Sequence, residues 1–136
     1  AYSTPETLGK DRLAAAAGAH ALFPQRHCLV VDCGTCIKYD LMLADGVYRG
    51  GNIAPGLQMR IRAMHDYTAR LPMVPLEMPA DPVGNSTQTA LQNGALRGAE
   101  LEVEGFVRLF ENHWPDVAVI LTGGDAPLLW PHLDLR

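Results

Sequence analysis

The chain has 136 residues, a net charge of −4 and 48% hydrophobic residues, enough for one domain with a real core and too short for two independent ones. No apolar run approaches a membrane span, and no Lys/Arg cluster stands out, which sets aside an anionic membrane or nucleic acid as the main partner. The sequence opens without methionine and without the basic, apolar and small-residue succession of a signal peptide, so the cytoplasm is the expected compartment, with room for a removed targeting segment.

Residues 9–23, GKDRLAAAAGAHALF, are rich in alanine and predict a helix, entered after Pro5 and Thr7 and closed by Pro24. Residues 28–32 and 36–43 predict two strands, followed by a turn at Ala44-Asp45-Gly46 and a short third strand at 47–49. Strand, turn, strand, turn and strand in succession make an antiparallel meander, unlike a βαβ unit. The glycine-rich GGNIAPG, 50–56, is expected to be a loop, and 57–70 a helix with Leu57, Ile61, Met64 and Tyr67 along one face. Pro72, Pro75, Pro79 and Pro82 mark 72–84 as an extended surface connection. A long helix is predicted from Thr87 to His113; Gly94 and Gly98, four apart, offer a face that another backbone can approach closely. Last, VAVILT at 117–122 predicts a buried strand running into Gly123-Gly124-Asp125.

The turn VVDCGTCIKYD, 30–40, brings together a carboxylate, Asp32, a hydroxyl, Thr35, and the bare backbone of Gly34. Such a turn offers N–H donors to anionic oxygens and an acid to a cation. Glycine lets the backbone come close where a side chain would hold a phosphate away. Polar, glycine-bearing turns recur at Gly9–Arg12, Gly50–Gly56 and Thr122–Asp125, at strand ends and helix starts where α/β folds place ligands. Asp11 and Arg12 open the first helix. Helix-dipole stabilisation explains an acid there; a proton acceptor beside a guanidinium that holds a polar substrate is the functional alternative. Cys33-x-x-Cys36, with Cys28, lacks the four-ligand spacing of a zinc site and spans a strand turn rather than a helix start, so reduced thiols are the favoured reading. The histidines are scattered, and Ser86 has no G-x-S-x-G setting.

Taken in order, these turns resemble the type III pantothenate kinases, a bacterial family of the acetate/sugar kinase–chaperone–actin superfamily. Tyr2, Pro5 and Gly9-Lys10-Asp11-Arg12 resemble the family's substrate motif, and Asp32-Cys33-Gly34-Thr35 its D-x-G-T phosphate motif. GGNIAPG followed by Thr68-Ala69-Arg70-Leu71-Pro72 is similar to its G-G-x-I-x-P-G helix ending in T-A-x-L-P. Gly84 to Thr87 resembles its G-x-x-T segment, and LTGGDA, 121–126, its adenosine-side T-G-G-D. Single motifs of this kind are weak, but their conjunction in one order is specific.

The resemblance implies a ribonuclease-H-like (actin-like ATPase) α/β domain, with three antiparallel strands, one parallel strand and flanking helices. It implies transfer of the ATP γ-phosphate to the primary hydroxyl of pantothenate, the first step towards coenzyme A. Asp11 would accept the proton; Tyr2, Gly9, Lys10, Arg12 and Thr87 would contact pantothenate. Gly34 and Thr35 would meet ATP phosphate, Gly123 and Gly124 would lie near adenosine, and Asp32 would bind potassium or ammonium. Mg2+ would accompany ATP, and a homodimer would place Thr87 near the partner's site. The family's N-terminal half, with its D-x-G-N-T motif, has no counterpart here, so residues 1–136 are expected to be the C-terminal half of a two-domain kinase, with little or no turnover alone. Cys36 and Lys38 stand where the family has alanine and a second threonine. Lys38 alternates onto the sheet face of Cys36 and Asp40, where a surface salt bridge is the expected role. A non-catalytic accessory member, or a sugar or acetate kinase of the superfamily, are the rival readings.

Overall fold

The alanine-rich run folds as helix α1 (Lys10–Leu22) in the computed structural model, which describes residues 2–135. A single 3-10 turn, Pro5–Thr7, precedes it. Strands β1 (Cys28–Cys33), β2 (Cys36–Met42) and β3 (Tyr48–Pro55) form the antiparallel meander. β4 (Ala118–Thr122) then adds beside β1 in parallel, so the sheet order is β3-β2-β1-β4. The result is a mixed α/β fold with one parallel pair.

The residue pattern decides which helix covers which face. Strand residues alternate between faces: Leu29, Val31, Cys33, Ile37, Tyr39 and Leu41 point into the main core. That face is covered by α2 (Leu57–Asp66) and by a long helical run built from α3 (Thr87–Gln92), a π-helical turn (Asn93–Arg97) and α4 (Gly98–His113). α1 covers the opposite face, where Ala16 and Ala19 pack on Cys28, Val30, Met42 and Ala118. Small alanines let α1 lie close to the sheet. Across the main core, Tyr39 donates to Glu102 (3.0 Å) and Arg60 reaches the other Glu102 oxygen (2.8 Å), tying β2, α2 and α4 together.

Several expectations need correction. GGNIAPG is not a loop: it is most of β3, which runs to Pro55 rather than ending at 49. Its glycines fit a strand because the neighbours leave no room for side chains; a Cβ at Gly51 would collide with the Tyr39 carbonyl on β2. Pro55 is tolerated as the last residue of an edge strand. The helix expected over 57–70 stops at Asp66. Thr68 turns its hydroxyl back to the Met64 carbonyl (2.6 Å), and Pro72 follows within a few residues. Tyr67 therefore leaves the apolar face and is 90% exposed. The strand at 117–122 is an edge strand with half-buried centre, not a buried one. Gly94 and Gly98 meet no other part of the described chain within 4 Å of a built Cβ, so no close backbone contact explains them.

Candidate active site

Lys38 is the hub of the site. In the antiparallel register it stands opposite Asp32 on β1, with both side chains on the α1 face. α1 begins above them and presents Asp11 from its first turn. The Lys38 Nζ lies 2.7 Å from Asp11 Oδ2 and 2.9 Å from Asp32 Oδ2. One ammonium therefore bridges the two carboxylates that the sequence singles out. The hydrogen bond from Lys38, then the N–H of Arg12, hold the Asp11 carboxyl below its ordinary value. The hydrogen bonds to Asp11 and Asp32 raise Lys38 in turn, against the opposing effect of burial. Asp11 itself stays largely exposed, at 66%, and so remains open to a substrate.

Two residues further along β2, Asp40 is buried and takes three donors on one oxygen. They are Arg12 Nε (2.9 Å), Arg12 Nη2 (2.6 Å) and the Tyr48 hydroxyl (2.7 Å). Burial first, and then Asp40, push the Tyr48 phenol up. Tyr2 packs against Tyr48, ring centroids 5.6 Å apart, and its ring lies over Gly50, where φ is +109°. The guanidinium of Arg12 is thus committed to an internal carboxylate, with its side chain 7% exposed. Lys10 is exposed.

The Asp32–Thr35 turn meets three other segments. Gly56 donates from its N–H to the Thr35 carbonyl (3.1 Å), and a Cβ on Gly56 would strike the Gly34 and Thr35 carbonyls. Asp125 donates from its N–H to the Cys33 carbonyl (2.9 Å). Gly123, at φ +97°, leaves room for Asp32: a Cβ there would stand 2.6 Å from Asp32 Oδ1. The parallel pairing of Asp32 with Thr122 brings the two turns to adjoining strand ends. Gly124 has open space beside it. Gly34, Thr35, Asp125 and the first turns of α2, through Gln58, Met59 and Arg62, line an open cleft of about 440 Å³. Gln58 and Arg62 carry no signal of their own in the sequence, since apolar periodicity marks only the buried face of the helix.

Thr87 stands apart. It is exposed at the start of α3, next to the Ser86–Thr89 capping box, and has no hydrogen bond to the other site residues. Cys33 is buried, and burial together with Asp32 and Asp125 pushes its thiol up to about 11. That opposes the thiolate a redox or metal role requires.

Carboxylates, a hydroxyl and bare N–H groups gathered at adjoining strand ends are features of α/β proteins that handle phosphate groups. The family model of the type III pantothenate kinases matches residues 1–109. The chain belongs to that family. It is 47% identical over 124 residues to the type III pantothenate kinase of Bacteroides fragilis, covering 91% of this chain and 51% of that protein. With the Christiangramia forsetii kinase the identity is 42% over 128 residues, covering 94% and 53%. The chain thus spans about half the length of the curated relatives it matches. Among solved structures, a Campylobacter jejuni protein described as a candidate Baf family transcriptional activator superposes with a TM-score of 0.65 at 26% identity. That match covers 97% of this chain and 57% of the other.

Proposed function

We propose that this chain is the C-terminal half of a cytoplasmic, ribonuclease-H-like pantothenate kinase, which moves the γ-phosphate of ATP to the primary hydroxyl of pantothenate. The observation that carries it is the exposed Asp11 carboxylate, tied through Lys38 to the Asp32–Thr35 phosphate turn. Asp11 accepts the hydroxyl proton. An aspartate with a lowered pKa suffices, because phosphoryl transfer depends on positioning and charge neutralisation more than on prior deprotonation. Gly34 and Thr35 receive the phosphates, with Gln58 and Arg62 on the same cleft wall. Gly123 and Gly124 face the nucleoside end. Tyr2, Gly9 and Lys10 bound the pantothenate side, and Arg12 shapes it from its place on Asp40. Thr87, remote within one chain, serves the neighbouring protomer of a homodimer.

The described residues gather no group of three or more His, Cys, Asp or Glu side chains that could hold a metal ion. Mg2+ is therefore expected to arrive on the nucleotide phosphates, as it commonly does, and there it neutralises charge. A free monovalent cation at Asp32 does not fit the residues present, since Lys38 already holds that carboxylate.

The test is a phosphopantothenate assay with Mg-ATP and pantothenate, on the 136-residue chain and on a longer protein that includes an N-terminal half. Turnover by the longer protein and little by the chain alone is expected. Failure of the longer protein to phosphorylate pantothenate, or its preference for a sugar or acetate in competition, overturns the proposal. Binding of both ligands without turnover would favour the accessory reading, against which the retention of Asp11 and Asp32 stands.

A further inference from the structure

A cation placed between Asp11 and Asp32 would meet two carboxylate oxygens converging on one point. In this chain that point is filled by a side chain. The Lys38 Nζ is 2.7 Å from one oxygen and 2.9 Å from the other, and the lysine is 18% exposed. Its position is set by the sheet. Lys38 pairs across β1–β2 with Asp32 and across β2–β3 with Ile53, so it sits in the middle of a three-strand ladder. Two residues on, the buried Arg12–Asp40 pair pins the start of α1, and with it Asp11, over the same strand. A simple surface salt bridge has one partner and a mobile lysine. Lys38 has two partners on separate elements, both of them residues of the proposed site.

We propose that Lys38 is a built-in monovalent cation: its ammonium occupies the place between Asp11 and Asp32 that a free potassium or ammonium ion would take, and makes the site independent of such ions. The chemistry is direct. An ammonium head is a compact point charge with rotatable donors, similar in size and charge to potassium. A second cation arriving at Asp32 would meet a like charge in contact with the same carboxylate. Lys38 also carries a role that a diffusible ion lacks, since its covalent attachment to β2 fixes where Asp11 points. It is a positioning residue.

The inference concerns the same residues as the proposed phosphoryl transfer, but its test reads cation binding alone, so either can fail without the other. Thallium(I), a potassium surrogate whose NMR signal broadens on binding, is titrated into the 136-residue chain, into Lys38→Thr and into Lys38→Arg, with choline chloride holding ionic strength. Melting temperatures in potassium and choline chloride are compared in parallel. The wild-type chain and Lys38→Arg are expected to give no specific broadening and equal melting temperatures. Lys38→Thr is expected to bind thallium at least about tenfold more tightly than wild type and to melt higher in potassium than in choline. Specific thallium binding by the wild-type chain overturns the proposal, as does a folded Lys38→Thr that binds none. Should that variant not fold, exchange of the Lys38 Nζ protons in the wild type decides. A slowly exchanging ammonium signal supports the clamp, and rapid exchange overturns it.

Discussion

Asp11 and Arg12 are neighbours on α1, and Lys38 and Asp40 lie two residues apart on β2, yet the two pairs they form are physically different. Arg12–Asp40 is buried at 7% and 1% exposure, with Tyr48 completing the set. Asp11–Lys38–Asp32 opens to solvent at Asp11. Inside, charges hold each other in place, and removing one partner strands the other without water. At the surface the same attraction is weak, and its use lies in aiming a group that stays accessible. The inner pair therefore serves stability, and the outer cluster is the place of the proposed chemistry.

The largest expected effect strikes the outer cluster. Asp11→Asn in a longer protein that includes an N-terminal half should lower turnover about 10²–10⁴-fold, the range for losing the proposed general base. Nucleotide affinity by calorimetry and the melting temperature should change little; near-normal turnover removes Asp11 as proton acceptor. The inner pair should respond in the opposite way. Arg12→Met should cost about 3–5 kcal/mol in urea unfolding, because it strips the buried Asp40 of its counter-charge and leaves it the Tyr48 hydroxyl. The double variant Arg12→Met/Asp40→Leu should recover much of that loss. An equal cost for single and double variants would break the assignment.

Between the two lies Gly123, which combines a φ of +97° with an Asp32 oxygen 2.6 Å from where a Cβ would stand. Gly123→Ala should destabilise by about 1–3 kcal/mol from backbone strain and should shift the Asp32 carboxyl resonance; an unmoved resonance denies that proximity. The smallest effect is a titration. Because Lys38 lowers the Asp11 pKa, the stability due to this contact is present above the unfolded value near 3.8 and is lost as pH falls through the lowered folded value. Carboxyl NMR should find Asp11 returning towards its ordinary value in Lys38→Met. No movement would show that the bridge does not form in solution.

Much of this was legible in the amino-acid order. Alanine richness and Pro24 bounded α1, the apolar run ahead of Asp32 and the segment after Thr35 marked β1 and β2, and the motifs named the turns at Asp32–Thr35 and Thr122–Asp125. GGNIAPG misled because glycine usually punctuates a chain; here the crowding of Tyr39 makes bare backbone the only strand that fits. Tyr67 misled because helical periodicity continues past the point where the Thr68 hydroxyl ends the helix. Arg12 read as a free substrate clamp, since nothing local says that Asp40, 28 residues away, will take its guanidinium.

By itself the sequence determined α1, β1, β2, the family and the two carboxylates of the proposed site, since these rest on local composition and on motifs contiguous in the chain. Only the tertiary structure decided which charge meets which. Register sets Lys38 against Asp32, and the packing of α1 brings Asp11 to the same ammonium. Coulomb attraction acts through space at contact distance, and that distance exists only once the sheet has paired and the helix has docked.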